Sequence, residues 1–254
     1  MTDGKETLLS PADPNPVTLF NETGNGPVAL VCEHAGWAIP EKLGKLGLPE
    51  AAFDTHIAFD IGARLVAEAL ANLLNAPLVM QNYSRLVVDC NRPDHVHDAI
   101  PLRSDGVDIP ANIAMDTQER QQRLDEIFSP FDQTMSEMLN RSNIKMAFSV
   151  HSFTPQLGED IRPWDISFLF RKDTETSHDL AKTLARRNSE LTIGMNEPYQ
   201  ICEKTDWFVP HYGEQLGLAH SLIEIRNDHI RTPQACQDWA ENLAAAIISL
   251  QTGK

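Results

Sequence analysis

Three histidines stand at positions from which they could bind one metal ion. His34 follows the apolar run 28–32, and His151 closes the apolar run 146–150. Both runs are typical of buried parallel strands, which deliver their last side chains to the carboxyl edge of a sheet, where open α/β folds place ligand sites. His56 lies in the first turn of a predicted helix. Since hydrolytic zinc sites use three protein ligands and keep one position open for water, these histidines predict such a site.

The spacing of these histidines matches no short metal-binding signature, so the prediction depends on their shared location. Any one histidine taken alone could equally be a half-buried ring that forms hydrogen bonds. The predicted metal is zinc, one ion per chain, because neutral imidazole is a common zinc ligand.

Glu224 is the candidate general base. It interrupts the apolar core of a late predicted strand, where burying a carboxylate is costly unless it is paired or used. A base near the metal is what a zinc hydrolase requires. The alternative is an ion pair with Arg226, two residues on and on the same side of the strand. His211, in the aromatic run 207–212, is the second candidate catalytic residue, as a donor to a developing oxyanion; core packing is the alternative for that run.

Guanidinium and amide groups near these elements suit a substrate that carries a carboxylate, because their donors match carboxylate geometry. Solvated surface arginines are the alternative. The long segment 93–116, rich in proline, aspartate and glycine, predicts a lid or binding loop. If it closes the pocket, small substrates are favoured, whereas an open groove favours a larger amide. The candidate substrate-binding residues are Arg85, Asn91, Arg92, Arg226 and Asn227.

Apolar runs alternate with helical patterns along the chain, which predicts an α/β fold with helices on the faces of a sheet. We find no internal repeat or linker, and expect one domain over residues 1–254. Strands are predicted at 28–32, 78–80, 146–150, 165–170 and 219–228. Helices are predicted at 54–74, 117–141 with a bend at Pro130, near 174–190, and from 232 to the terminus.

The composition of the chain limits the classes of partner that it is expected to bind. The chain has 21 Lys and Arg against 36 Asp and Glu, a net charge of −15 that opposes binding to nucleic acid or an anionic membrane. The expected partner is therefore a small-molecule substrate, and the sequence leaves the oligomeric state open. The four cysteines form no CxxC pair, which favours reduced, mostly structural thiols. Residues 1–16 are polar and contain no apolar stretch for a signal peptide or membrane span, so a cytoplasmic location is expected.

Five ordered blocks, which together span nearly the whole chain, resemble the N-formylglutamate amidohydrolase family, and specifically its diverged N-formylglutamate amidohydrolase-like branch. The blocks are Glu33-His34-Ala35-Gly36 with Ile39-Pro40, and the segments 54–63, 84–92, 150–153 and 224–228. The resemblance implies a phosphorylase/hydrolase-like three-layer α/β/α sandwich with a mixed sheet, related to zinc exopeptidases. It also implies that a metal-bound water removes the N-formyl group of glutamate.

The resemblance assigns roles to the candidate residues. It implies that His34, His56 and His151 bind zinc and that Glu224 is the base, with Asp60 competing with His56 as a ligand. The expected reaction is zinc-dependent hydrolysis of the N-formyl, or another N-acyl, amide of a small amino acid with a carboxylate, such as N-formylglutamate. The alternatives are an amidase for a larger acyl or peptidoglycan-type amide, and a binding protein that keeps the fold without turnover.

Two positions depart from the family pattern. Where the glutamate-specific enzymes tend to have proline before the first histidine, this chain has Glu33. Where they tend to have aspartate two residues before the later histidine, it has Ser149. The reaction class can therefore be shared with the family while the substrate differs.

Overall fold

The structure is a computed structural model that describes residues 7–252, so the first six residues of the predicted polar start lie outside it. Seven strands form one mixed sheet. They are β1 (Val17–Phe20), β2 (Val28–Cys32), β3 (Leu78–Gln81), β6 (Met146–Phe153), β9 (Ile166–Leu169), β10 (Ile193–Met195) and β11 (Ala219–Arg226), in the order β1-β3-β2-β6-β11-β9-β10. Four short strands form two hairpins, β4 (Arg103–Ser104) with β5 (Val107–Asp108) and β7 (Gln156–Leu157) with β8 (Asp160–Ile161).

The centre of the sheet is parallel and its flanks are not. Strands β3, β2, β6 and β11 run in one direction, whereas β1 is antiparallel to β3 and β9 is antiparallel to β11. The predicted mixed sheet is therefore confirmed. The prediction places β2 correctly from end to end and finds five of the seven strands, because central strands buried on both faces are continuous apolar runs. The two strands that it misses, β1 and β10, lie at the edges.

Helices cover both faces of the sheet, which confirms the predicted three layers. Side chains alternate along β2, so that Val28 and Leu30 join one core and Ala29 and Val31 the other. The first core lies under α1 (Ala63–Leu74), α5 (Thr174–Arg187) and α6 (Pro233–Thr252), and the second lies under α4 (Ser129–Leu139). The other helices are α2 (Pro110–Ala114) and α3 (Thr117–Arg123). Within the described residues, no helix is long and apolar enough to cross a membrane.

Helix α1 begins later than predicted. The pattern predicts a helix from residue 54, but only Glu50–Asp54 forms a short 3₁₀ turn, and the α-helix starts at Ala63. Gly62 precedes it with φ 82°, in the left-handed region, and a Cβ there would lie 2.3 Å from the Ile230 carbonyl oxygen. The chain therefore cannot continue as a helix through this position, and residues 55–62 follow an irregular path.

The helix predicted over 117–141 is interrupted at the expected proline. Between α3 and α4 the segment Leu124–Phe128 forms a π-helical turn, and Pro130 lies in the first turn of α4. Proline has no N–H to donate to the carbonyl four residues earlier, and its ring crowds that carbonyl. A wider turn accommodates the ring, as is common where a helix bends.

The segment 93–116 is more ordered than predicted. It contains the β4–β5 hairpin, a 3₁₀ turn at His97–Ala99 and helix α2. The Asn112 side chain donates to the carbonyl oxygens of Leu86 and Pro101, at 2.8 and 2.7 Å. Its Oδ1 accepts from the wholly buried guanidinium of Arg123 at 2.7 Å. This buried network anchors the segment to α3.

Candidate metal centre

Three parallel strands carry the candidate site. Strands β2, β6 and β11 are neighbours, and their carboxyl ends lie at the same edge of the sheet. His34 lies two residues after β2. The register pairs Glu224 with His151, so both side chains project from the same face. The predicted meeting of these three side chains at one edge is what the structure shows.

Two imidazoles and one carboxylate converge at this edge. His151 Nδ1 lies 3.0 Å from His34 Nδ1 and 2.9 Å from Asp60 Oδ2. His34 Nδ1 lies 3.4 Å from the same oxygen. The Asp60 backbone N–H donates to the His34 carbonyl oxygen at 3.0 Å, which holds the aspartate beside the histidines. All three side chains are buried, and their possible ligand atoms lie within 4.8 Å of one another.

The outer nitrogen of each imidazole faces a second carboxylate. His34 Nε2 lies 2.7 Å from Asp89 Oδ1, and His151 Nε2 lies 3.1 Å from Glu33 Oε2. A carboxylate accepts a hydrogen bond, so Nε2 is a donor position in each ring, and with a single proton there each Nδ1 would present a lone pair to the centre. Carboxylates in this position orient the histidine ligands of metal sites.

These residues fit a divalent cation. Two Nδ1 atoms and the Asp60 carboxylate face one another in a buried space, so a positive charge between them, a proton or a divalent metal ion, is favoured. Two nitrogens and one oxygen form a donor set that zinc accepts, with a position left for water. The carboxylates of Glu33, Asp60, Asp89 and Glu224 are all buried here, and Arg85 supplies a permanent positive charge that donates to Asp89 Oδ2 at 2.8 Å.

The charge states of the centre support this fit. Burial raises the pKa of Asp60 and of Asp89, but it is outweighed by His34 and His151 together at Asp60 and by His34 and the arginines Arg85 and Arg92 together at Asp89, so the net pKa of each carboxyl lies well below its usual range. Burial lowers the pKa of His151, yet the Glu33 and Asp60 carboxylates raise it well above its usual value. Both aspartates are therefore ionised at neutral pH.

The structure does not bring His56 to this group. Its Nε2 lies 3.1 Å from Asp105 Oδ2 in the turn between β4 and β5, and about a third of its side chain is exposed. The prediction placed His56 and Asp60 one turn apart on a helix, which is wrong because the helix starts only at Ala63. The irregular path before Gly62 instead turns Asp60 toward His34 and His151. Asp60, which the sequence offered as a competing ligand, takes the third position.

Glu224 is buried beside the centre without an ion-pair partner. Its Oε2 has no hydrogen-bond partner in the described part of the chain. Its pKa is raised to about 7, chiefly by burial, while His151 opposes the rise and Asp60 adds to it. The alternative pairing with Arg226 is not formed, because that guanidinium binds Asp165 and Asp228. A carboxylate with a pKa near neutrality can both accept and return a proton.

A pocket of about 440 Å³ opens over the centre. Arg85, Asn91 and Arg92 line it, as predicted for substrate-binding residues. Arg92 donates to the Thr205 carbonyl oxygen at 2.7 Å and to Asp206 Oδ1 at 3.2 Å. The lining of this pocket does not include three other predicted site residues or the predicted binding loop within the described part of the chain. These are His211, Arg226 and Asn227, and the segment 93–116.

Local packing contacts hold the side chains of His211, Arg226 and Asn227 away from the pocket. The His211 ring stacks on Trp207 with a centroid distance of 3.7 Å. Arg226 turns to Asp165, and the Asn227 Oδ1 accepts from Arg231 at 3.1 Å. His211 therefore belongs to the aromatic packing that the sequence offered as the alternative.

The outer wall of the pocket comes from residues that the sequence analysis missed. They are Pro198, Tyr199, Gln200, Ile201, Thr205 and Asp206. The Tyr199 hydroxyl accepts from the Arg162 guanidinium at 2.9 Å, which ties this wall to the chain after β8. Nothing in the local pattern marks these residues, because their place depends on a loop that folds back over the sheet edge.

Comparison with known proteins adds independent findings. A family model described as N-formylglutamate amidohydrolase matches residues 26–231. A gene product from Agrobacterium tumefaciens is similar in structure, with 33% sequence identity, a TM-score of 0.89 and coverage of 96% of this chain and 99% of that one. An N-formylglutamate amidohydrolase from Ralstonia eutropha shares the fold, with 18% identity, a TM-score of 0.62 and coverage of 93% and 97%. A search of curated proteins returned no match to the chain.

Proposed function

We propose, from the premise that this chain belongs to the N-formylglutamate amidohydrolase family, that it hydrolyses the N-formyl or another N-acyl amide of a small amino acid with a carboxylate. In this proposal one zinc ion is held by His34, Asp60 and His151. The observation that carries the proposal is the convergence of these three ligand atoms beside Glu224, whose Oε2 has no hydrogen-bond partner among the described residues, in a pocket that Arg85 and Arg92 line. The free cysteines and the net charge of −15 support a cytoplasmic enzyme of small molecules.

Glu224 performs the proton transfers in this proposal. A divalent ion at the centre supplies a Lewis acid that makes water nucleophilic near neutral pH. Glu224 accepts the proton of the attacking water and returns it to the leaving nitrogen. Burial raises its pKa to about 7 in the metal-free protein, above the usual range of a carboxyl, which suits a group that both accepts and returns a proton. The strand register that pairs it with His151 holds the carboxylate at the centre.

Arg85 and Arg92 orient the substrate. Each guanidinium has five N–H donors, so both keep donors for a substrate carboxylate after binding Asp89 and Asp206. Arg85 also lies 3.4 Å from Asp60 Oδ1, which places a bound carboxylate close to the centre. The amide to be cleaved then lies between the arginines and Glu224.

The test combines metal analysis with a substrate panel. Protein purified without added metal is expected to hold about one zinc per chain, and the His34→Ala, His151→Ala double variant is expected to hold none. Formate release from N-formylglutamate is then compared with hydrolysis of N-acetylglutamate and of a peptidoglycan-type peptide amide. A wild-type protein that holds no metal and takes up none from added zinc contradicts the proposal. Zinc binding with preferred turnover of the peptide amide refutes the small-substrate part.

A further inference from the structure

Glu33 is a buried carboxylate that the proposed reaction does not use. It follows β2 directly and is 0% exposed. Its Oε2 accepts from Ser149 Oγ at 2.6 Å and from His151 Nε2 at 3.1 Å. Its Oε1 has no hydrogen-bond partner, and no lysine or arginine forms an ion pair with it, among residues 7–252. Since such burial is costly and an apolar side chain would avoid the cost, Glu33 needs a reason to be there.

We infer that Glu33 is a positioning residue that keeps the His151 proton on Nε2, so that Nδ1 can bind the metal; this rests on the proposed metal site. The imidazole has a competing state. With the proton on Nδ1, the ring would donate to Asp60 Oδ2, which lies only 2.9 Å away, and the ligand atom would be blocked. The negative acceptor at Nε2 favours the other tautomer and raises the basicity of the ligand nitrogen.

Ser149 fixes the direction of the Glu33 carboxylate. It lies two residues before His151 on β6, and so on the same face of the sheet. Its hydroxyl donates to the same oxygen that accepts from His151. The register pairs Ser149 with Val31 on β2, two residues before Glu33. Backbone pairing of two strands therefore sets the distance between the carboxylate and the ring.

The two carboxylates that face the outer nitrogens of His34 and His151 differ in their charge partners. Asp89, which faces His34, also binds Arg85 at 2.8 Å, so its charge is balanced by a permanent cation. Among the described residues, the Glu33 carboxylate accepts hydrogen bonds from Ser149 and His151 and forms no ion pair with a lysine or arginine. Its charge therefore faces the His151 imidazole directly, without a permanent cation that balances it.

Glu33→Met separates positioning from folding. Methionine fills a similar volume without charge, but it leaves the buried Ser149 hydroxyl and the His151 Nε2–H without an acceptor, so the metal-free variant is expected to have a lower melting temperature. Zinc affinity is therefore measured well below that temperature, where circular dichroism shows the variant to be folded. Its zinc affinity, measured by chelator competition, is expected to fall about 10–100-fold. Glu33→Gln keeps an acceptor without the charge and is expected to show a smaller loss. In the zinc-loaded wild type, the His151 Nε2–H is expected as a downfield proton resonance that Glu33→Met removes.

A carboxylate introduced at position 149 is expected to restore zinc binding to the Glu33→Met variant. Ser149→Asp in the Glu33→Met background returns a carboxylate beside His151 from β6, and most of the lost zinc affinity is expected to return. Ser149→Asp alone is expected to weaken zinc binding, because two carboxylates then crowd one site. The matched control is Ser221→Ala, which removes a buried hydroxyl that contacts Ser177 at 2.9 Å on the opposite face and should leave zinc affinity unchanged.

The outcomes separate this inference from the proposed function. If the wild type binds no zinc, the metal site itself fails. If the wild type binds zinc and His34→Ala abolishes binding, but Glu33→Met and Glu33→Gln bind as tightly as the wild type, the positioning role alone is refuted. Loss of affinity in Glu33→Met with no return in the double variant also refutes it, because a purely structural role predicts that pattern.

Discussion

Replacing Glu224 with glutamine tests the proton-transfer role directly. Glutamine keeps the size of the side chain but cannot accept a proton, so turnover is expected to fall about 10²–10⁴-fold while zinc stays bound. The wild-type rate is expected to rise with pH as Glu224 ionises. Glu224 has a pKa of about 7 in the metal-free protein, and a bound divalent cation favours its ionised form, so the rise is expected at or below pH 7. In Glu224→Gln this rise disappears.

Although Glu224→Gln is expected to lower turnover, it is expected to raise the stability of the metal-free protein at pH 8. The folded pKa of Glu224, about 7, exceeds its ordinary value of 4.5, so the folded state binds the proton more tightly than the unfolded state. The stability that comes from the protonated form is complete below pH 4.5 and is lost as the pH rises to 7. The difference corresponds to about 3 kcal/mol, since one pKa unit is worth about 1.36 kcal/mol. Metal-free Glu224→Gln is therefore expected to be more stable than the wild type at pH 8 by an amount approaching this value.

Three assays on the two proteins decide the matter. Zinc content, kcat/KM between pH 5.5 and 8.5, and urea unfolding of the metal-free proteins at pH 4.5 and pH 8 are measured side by side. Full activity of Glu224→Gln refutes the assignment of the base. Equal wild-type and variant stabilities at pH 8 refute the argument that Glu224 is buried without a partner.

The remaining predictions concern the ligands, the substrate and the fold. Asp60→Asn is expected to lower zinc affinity by about 100-fold or more, whereas His56→Ala should leave it unchanged. The opposite result in a chelator titration would show that His56, and not Asp60, is the third ligand. Arg92→Ala is expected to raise KM for a carboxylate substrate more than it lowers kcat, and an unchanged KM would exclude Arg92 from substrate binding. Asn112→Ala is expected to lower the free energy of unfolding by about 2 kcal/mol, because buried Arg123 loses an acceptor; a change below about 0.5 kcal/mol in urea would contradict this.

The sequence predicts the part of the site that lies on the parallel strands, because the apolar pattern that indicates these strands is local. The runs that end near His34 and His151 are apolar over consecutive residues, as strands buried on both faces must be. Glu224 stands out because a carboxylate is rare inside such a run. Parallel pairing then brings the three side chains to one edge without any further information.

The third ligand shows where local patterns stop being sufficient. Apolar spacing continues across Gly62, so the pattern predicts a helix that includes His56 and Asp60. The helix does not extend through Gly62, because this residue has a left-handed φ of 82° and packs closely against Ile230, far away in sequence. The choice between His56 and Asp60 therefore depended on a tertiary contact that periodicity does not contain.

The positions of the outer carboxylates and of the pocket wall also depend on tertiary contacts. Glu33 was visible in the sequence only as a departure from the family pattern, and its contact with His151 depends on which strands are neighbours. Arg226 follows Glu224 by two residues, yet it turns to Asp165 at the antiparallel border of the sheet. The wall at Tyr199 forms by a loop folding over the sheet edge.

By itself, then, the sequence determined the layered α/β fold, the strand ends that carry His34, His151 and Glu224, and the kind of chemistry that these residue types perform. These depend on hydrophobic periodicity and on side-chain chemistry, which are properties of short segments. The tertiary structure alone decided that Asp60 completes the group, that Glu33 faces His151, and that His211 and Arg226 lie outside the pocket. Those placements depend on distances of a few ångströms between segments far apart in the chain, which only the packed fold determines.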